Sequence, residues 1–110
     1  MNFPRVDNHF ETEAQALEEI AARGWYGFTV ELDPEEDLHW HDVDAVVFVL
    51  EGTASAEFAD GSIEEASVGS KTEAPAGIVH RTVGSSYRAV LGLSVNPAEM
   101  TQPVNKPVNA

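Results

Sequence analysis

The sequence predicts an all-β domain, a jelly-roll barrel or sandwich preceded by one short helix. Two observations carry that expectation. Short apolar and β-branched runs recur from residue 25 onward, and Gly, Pro and Asp-Gly interrupt them at close spacing. Helix start and stop signals fall only near the beginning of the chain.

Thr12 with Gln15 three residues later makes a capping-box pattern, and Leu17, Ile20 and Ala21 fall on one helical face. Arg23 in the last turn and Gly24 just past it mark the stop, giving a helix at Glu13–Arg23. Its Leu17 and Ile20 are expected to pack on something larger, with Glu18 and Glu19 toward solvent. Trp25–Leu32 carries aromatic and β-branched residues and is closed by Asp33-Pro34. Ala45–Glu51 is almost continuously apolar, the pattern of a strand covered on both faces. Thr53–Ala59 follows Gly52. Asp60-Gly61 then supplies the positive backbone dihedrals of a tight hairpin that returns through Ser62–Ala66. Ser70–Glu73, Ile78–Val83 and Ser86–Val95 complete the strands, with Gly69, Pro75, Gly77 and Gly84 between them.

In Asn96–Ala110, Pro97, Pro103 and Pro107 exclude a continuous helix or a central strand. That leaves a mobile tail or an extended arm laid on the barrel or on a neighbour. The chain thus divides into an N-terminal segment with the helix (1–24), a barrel (25–95) and a Pro-rich end (96–110).

The 110 residues suit one domain, large enough for one core and one enclosed site. No run approaches the roughly 18 apolar residues of a membrane helix, and Met1–Phe10 lacks the apolar stretch of a signal peptide. The absence of cysteine removes disulfides, thiolate metal sites and cysteine nucleophiles, and a cytoplasmic setting is expected. Net charge is −13, with 17 acids and 2 bases in residues 1–65 against 2 acids and 4 bases thereafter. Such a surface repels nucleic acid and anionic membranes, leaving a small molecule as the expected partner. Most of the acids read as a solvated exterior.

Chemistry concentrates in three histidines. In His39-Trp40-His41 the two imidazoles are two residues apart, which on an extended backbone sends both to one face. His80 lies in another predicted strand, after a Pro-x-Gly turn. If the two strands are neighbours, three imidazoles converge. Neutral imidazole is a donor for iron, zinc, nickel, copper or manganese, and three facial nitrogens leave positions open for water or substrate. The competing reading has each histidine satisfy a local hydrogen bond.

His39–Gly52, HWHDVDAVVFVLEG, resembles the first motif of the cupin superfamily: HxH, a short spacer, and an apolar strand ending in Gly. Gly69–Gly84, GSKTEAPAGIVHRTVG, resembles the second motif at Gly69, Pro75, Gly77 and His80. The resemblance spans about Trp25–Val95. It implies a small single-domain cupin: a double-stranded β-helix barrel, commonly dimeric, with a divalent metal held by His39, His41 and His80. Two positions depart from the pattern. The family's glutamate ligand falls at Ala45, and the Asn that ends the second motif is replaced by Gly84. Asp44 is the adjacent substitute, but strand parity turns it away from residues 39, 41 and 45 unless a bulge intervenes. Asp42 is a candidate to orient a histidine from behind.

Around these, Trp40 alternates away from the histidines and reads as core or interface. Tyr26, Phe28, Phe48 and Phe58 read as barrel packing. Tyr87, Arg81 and Arg88 are candidates to reach a substrate carboxylate, with Arg81 opposite in parity to His80. Glu51 and Glu57 are general-base candidates that nothing in the sequence places in a site. His9 reads as a surface residue.

Two functions fit. One is a metal-dependent dioxygenase, isomerase or lyase acting on a small polar organic molecule. The other is a non-enzymatic metal- or metabolite-binding module. A homodimer is expected in either case, because the Trp25–Leu32 edge needs covering.

Overall fold

A computed structural model describes residues 3–99 and 106–107. In chain order its regular elements are β1 (Arg5–Val6), α1 (Glu13–Ala22), β2 (Tyr26–Leu32), β3 (His39–Trp40), β4 (Ala45–Glu51) and β5 (Ala54–Phe58). These are followed by β6 (Ile63–Ala66), β7 (Lys71–Ala74), β8 (His80–Val83), β9 (Tyr87–Leu93), a 3-10 turn at Pro97–Glu99 and β10 (Lys106–Pro107). The strands make two antiparallel sheets, ordered β1-β7-β4-β9-β2 and β10-β3-β8-β5-β6. The expected all-β jelly roll with a short helix is therefore the observed architecture.

Helix α1 starts and stops as its sequence dictates. Gln15 N–H donates to Thr12 Oγ1 at 3.2 Å, and Thr12 N–H donates to Gln15 Oε1 at 3.1 Å. At the other end Gly24 adopts φ +78, Gly24 N–H donates to Ala21 O, and Trp25 N–H donates to Ile20 O. That is the paired closure of a Schellman motif, which the left-handed glycine makes sterically free. Ala16 and Ile20 then bury against Val46, Phe48 and Val90 on the outer face of the first sheet.

The continuous apolar run of β4 follows from this sandwiching. Ala45 and Val47 line the interior between the sheets, whereas Val46 and Phe48 lie under the helix. Phe48 is thus helix-facing, with Phe10 edge-on to it at 5.3 Å. Phe58 and Phe28 do pack in the interior. Tyr26 does not: it opens the edge strand β2, and its side chain is 45% exposed.

Other local expectations need adjustment. In the β5–β6 hairpin only Gly61 takes a positive φ; Asp60 instead accepts from the Ser62 amide at 2.9 Å. Glu18 faces solvent, but Glu19 turns toward β7, with Lys71 Nζ at 2.5 Å and His9 Nε2 at 2.6 Å. The segment before the helix adds β1 to the first sheet and sends Phe3 into the interior, 4.9 Å from both the Phe58 and His80 rings. At the other end, residues 106–107 pair with β3 as an extended arm, while most of the Pro-rich segment beyond 99 lies outside the described residues.

Arg23 binds Glu73 in a fork, Nη1 to Oε1 at 2.9 Å and Nη2 to Oε2 at 2.5 Å, joining the end of α1 to β7. The guanidinium holds the Glu73 carboxyl below its ordinary 4.5 despite partial burial. A depressed carboxylate stabilises the fold above its unfolded pKa, and that contribution disappears as pH falls through the folded one. Arg23→Gln is therefore expected to flatten the acid limb of stability. Urea unfolding at neutral pH and below 4.5 reads this directly; equal acid losses in variant and parent would refute it.

Candidate metal centre

β3 and β8 bring the three histidines together. His39 and His80 are direct register partners across the antiparallel pair, so their side chains share a face. His41 returns to that face two residues later. Ring centroids stand 4.9 Å apart for His39–His41, 4.8 Å for His39–His80 and 5.0 Å for His41–His80. One donor nitrogen from each ring lies within 4.8 Å of the other two.

The turn after β7 is pinned against the first motif, which fixes the start of β8. Gly77, at φ +86, donates its N–H to His41 O at 2.8 Å, and Ala76 N–H donates to Asp44 Oδ1 at 2.9 Å. Two of the rings are oriented by the same local device. His39 Nδ1 lies 3.1 Å from Asp37 O, and His80 Nδ1 lies 2.8 Å from Ile78 O, each the carbonyl two residues back. With Nδ1–H donated there, Nε2 carries the lone pair and is the free donor. Burial, with the neighbouring His41 and His39, holds the His80 pKa below its ordinary 6.5, although the Ile78 carbonyl opposes this. Three imidazoles on one face, two of them with rings oriented by backbone carbonyls, fit a divalent first-row ion.

The histidines open on a cavity of about 380 Å³ between the sheets. Phe28, Val43, Val47, Leu91 and Leu93 make most of its wall apolar, and Ala45 lies in that wall where a glutamate ligand would project. Tyr87 also lines it; burial first, and the Glu35 charge second, push its phenol up to about 12. The phenol therefore stays protonated at neutral pH, hydrogen-bonded to the Thr82 side chain.

The remaining candidates are dispersed. Asp44 is exposed and spends its carboxylate on the Ala76 amide, as strand parity anticipated. Asp42 pairs with Lys106 at 3.6 Å rather than with a histidine. Arg81 binds Glu57 at 2.6 Å, Arg88 binds Glu51 at 3.3 Å, and none of these four lines the cavity. Trp40 is half-buried and also lies off the cavity. His9 stays at the surface on Glu19.

Four charged residues on the cavity wall escaped the sequence reading: Arg5, Glu35, Glu64 and Glu65. Glu35 lines the cavity, with Oε2 3.5 Å from His39 Nε2. Glu35 lies between β2 and β3 in a segment that forms no strand, so side-chain alternation gave no signal for it.

A β-jelly roll with a facial histidine cluster on its inner wall defines a class of small barrel proteins with a metal-type pocket. Comparison with solved structures identifies its fold as that of the cupins. The chain is similar to protein NMB1881 from Neisseria meningitidis at 26% identity and TM-score 0.57, over 64% of this chain and 74% of that one. It is similar to a DUF861 family protein from Thermotoga maritima at 19% identity and TM-score 0.55, over 81% and 96% of the two chains. It also resembles the polyketide cyclase RemF from Streptomyces resistomycificus at 25% identity and TM-score 0.56. That match covers 74% of this chain and only 59% of RemF. No family model and no curated protein sequence matches the chain.

Proposed function

We propose that the chain is a metal-dependent cupin in which His39, His41 and His80 hold one divalent ion facing a small-molecule cavity. The observation that carries this reading is the convergence of three rings, two of them with Nδ1 tied to backbone, on the wall of a cavity between the sheets. Iron, zinc, nickel and manganese all suit the nitrogen donors. When bound, such an ion supplies Lewis acidity to a substrate oxygen. The chain's own residues supply the rest. The apolar wall holds the body of the molecule and excludes water, and the protonated Tyr87 phenol, bonded to Thr82, lies in the cavity wall. The substrate is a small organic molecule with one oxygen-bearing polar end and an apolar body. The likeness to a polyketide cyclase favours a carbonyl-rich compound, with dioxygenase, isomerase or lyase chemistry as the reaction classes.

The largely apolar walls equally suit the second reading, a cytoplasmic metal- or metabolite-binding module without turnover. Among the described residues β2 is an edge of the first sheet, which supports a homodimer under both.

Protein purified without a metal-affinity column is expected to carry, or to take up, one equivalent of divalent metal. Its removal by chelator is expected to lower the thermal midpoint and its return to restore it. Elemental analysis with thermal scans checks this. A chain that neither contains metal nor binds added iron(II) or zinc(II) would end the reading.

A further inference from the structure

We propose that the C-terminal arm is a clamp on the metal centre. Strand β10 and its Lys106 hold the segment that carries His39 and His41, so that metal binding and arm docking strengthen each other. The inference rests on the three-histidine reading above and deepens it.

Two of the three donors come from one short piece of chain, residues 39–41. Its strand, β3, is two residues long and meets β8 at one register position, His39 opposite His80. The other side of β3 is covered by β10 at two positions, Lys106 opposite Trp40 and Pro107 opposite His39. Among the described residues the arm thus supplies more of the pairing of β3 than β8 does. Antiparallel positions alternate between pairs that exchange N–H···O bonds and pairs that do not. Pro107 has no N–H to exchange, so the bonded pair is Lys106 with Trp40, the residue between the two histidines.

The Lys106 side chain adds a second hold just beyond His41. Its Nζ lies 3.6 Å from Asp42 Oδ2. The arm therefore grips the His-Trp-His segment through backbone at its middle and through charge at its end. From the barrel side, Gly77 N–H on His41 O holds the same segment at 2.8 Å.

A site with ligand distances of about 2.0–2.1 Å tolerates little displacement of its donors. Loss of the groups that orient a ligand lowers metal affinity by about 10–100-fold. With the arm undocked, β3 becomes an outer edge tied to its sheet at one register position, and His39 and His41 lose their fixed relation to His80. An ion gripping all three rings fixes β3 in turn and makes it a better template for β10. By linkage the two effects are equal in size.

Cobalt(II) titration of the full chain, stripped of metal, reads one half of this coupling by affinity and by visible bands. Lys106→Pro removes the N–H given to Trp40, whereas Lys106→Glu keeps it and sets a second carboxylate against Asp42. Arg88→Glu makes the same charge change on β9, off the cavity. Added negative charge by itself attracts a cation, so electrostatics alone gives tighter binding in both glutamate variants. The clamp reverses that sign at position 106. Lys106→Pro is expected to weaken cobalt binding at least ~10-fold and to alter the visible bands. Lys106→Glu is expected to weaken it by about 2–5-fold, and Arg88→Glu not to weaken it. Circular dichroism verifies that each variant is folded. Amide hydrogen exchange of the parent reads the other half: zinc(II) is expected to slow exchange at Trp40 and Lys106 by at least ~10-fold. Parental affinity in both Lys106 variants would overturn the clamp while leaving the three histidines in place, as would unchanged exchange at Trp40 and Lys106 on zinc binding. A parent chain that binds neither cobalt nor zinc would instead remove the underlying metal reading, and the clamp with it.

Discussion

Replacing His80 with alanine is expected to leave a folded chain that cannot hold metal. The ring is one of three facial donors, and its Nδ1 tie to Ile78 O shows that its aim is set by backbone rather than by solvent. Removing it leaves too few nitrogens on that face for tight binding. Folding survives because the ring's edge contact with Phe3 and its tilted contact with Phe58 are worth only about 0.5–1.5 kcal/mol each, against a typical domain stability of about 5–15 kcal/mol. His39→Ala is expected to behave alike in metal content. Asp44→Ala supplies the contrast: it releases the Ala76 amide but removes no donor, so metal content should stay at the parental level. Elemental analysis beside circular dichroism separates these cases. Parental metal content in either folded histidine variant would show that the cluster is not the binding site.

The second large effect is on stability and lies where α1 meets the first sheet. Gly27 on β2 and Gly92 on β9 are register partners. A Cβ on Gly92 would sit 2.8 Å from Val46 Cγ1 and 2.9 Å from Ile20 Cγ1; one on Gly27 would meet Ile20 at 3.2 Å. The paired glycines therefore form a slot that the fully buried Ile20 fills. Gly92→Ala is expected to cost about 1–3 kcal/mol by overpacking. Ile20→Ala is expected to cost about 2–5 kcal/mol through lost burial and a cavity. Because each change relieves part of the other's defect, the double variant should lose less than the sum, with coupling of about 0.5–3 kcal/mol. Urea unfolding of the four proteins measures the cycle. Strict additivity would mean that the slot is not shared.

Much of this was legible locally. The helix boundaries follow from Thr12, Gln15 and Gly24, whose capping geometry acts within a few residues. The two-residue spacing of His39 and His41 and the outward turn of Asp44 follow from strand parity, which any extended segment obeys. Phe3, Tyr26 and Phe48 were less legible, because being aromatic does not say which layer receives a ring. Phe3 enters the interior only because β1 joins β7, and Phe48 faces outward only because α1 lies on that side.

The sequence by itself determined the helix with its ends, the longer strands and the common face of His39 and His41. Tertiary structure alone decided that His80 pairs opposite His39, that Glu35 is bound to Thr82 beside them, and that the terminal arm lies on β3. The reason is physical. Side-chain alternation and capping are fixed by neighbouring residues, whereas pairing between distant strands is set by the register and closure of both sheets together.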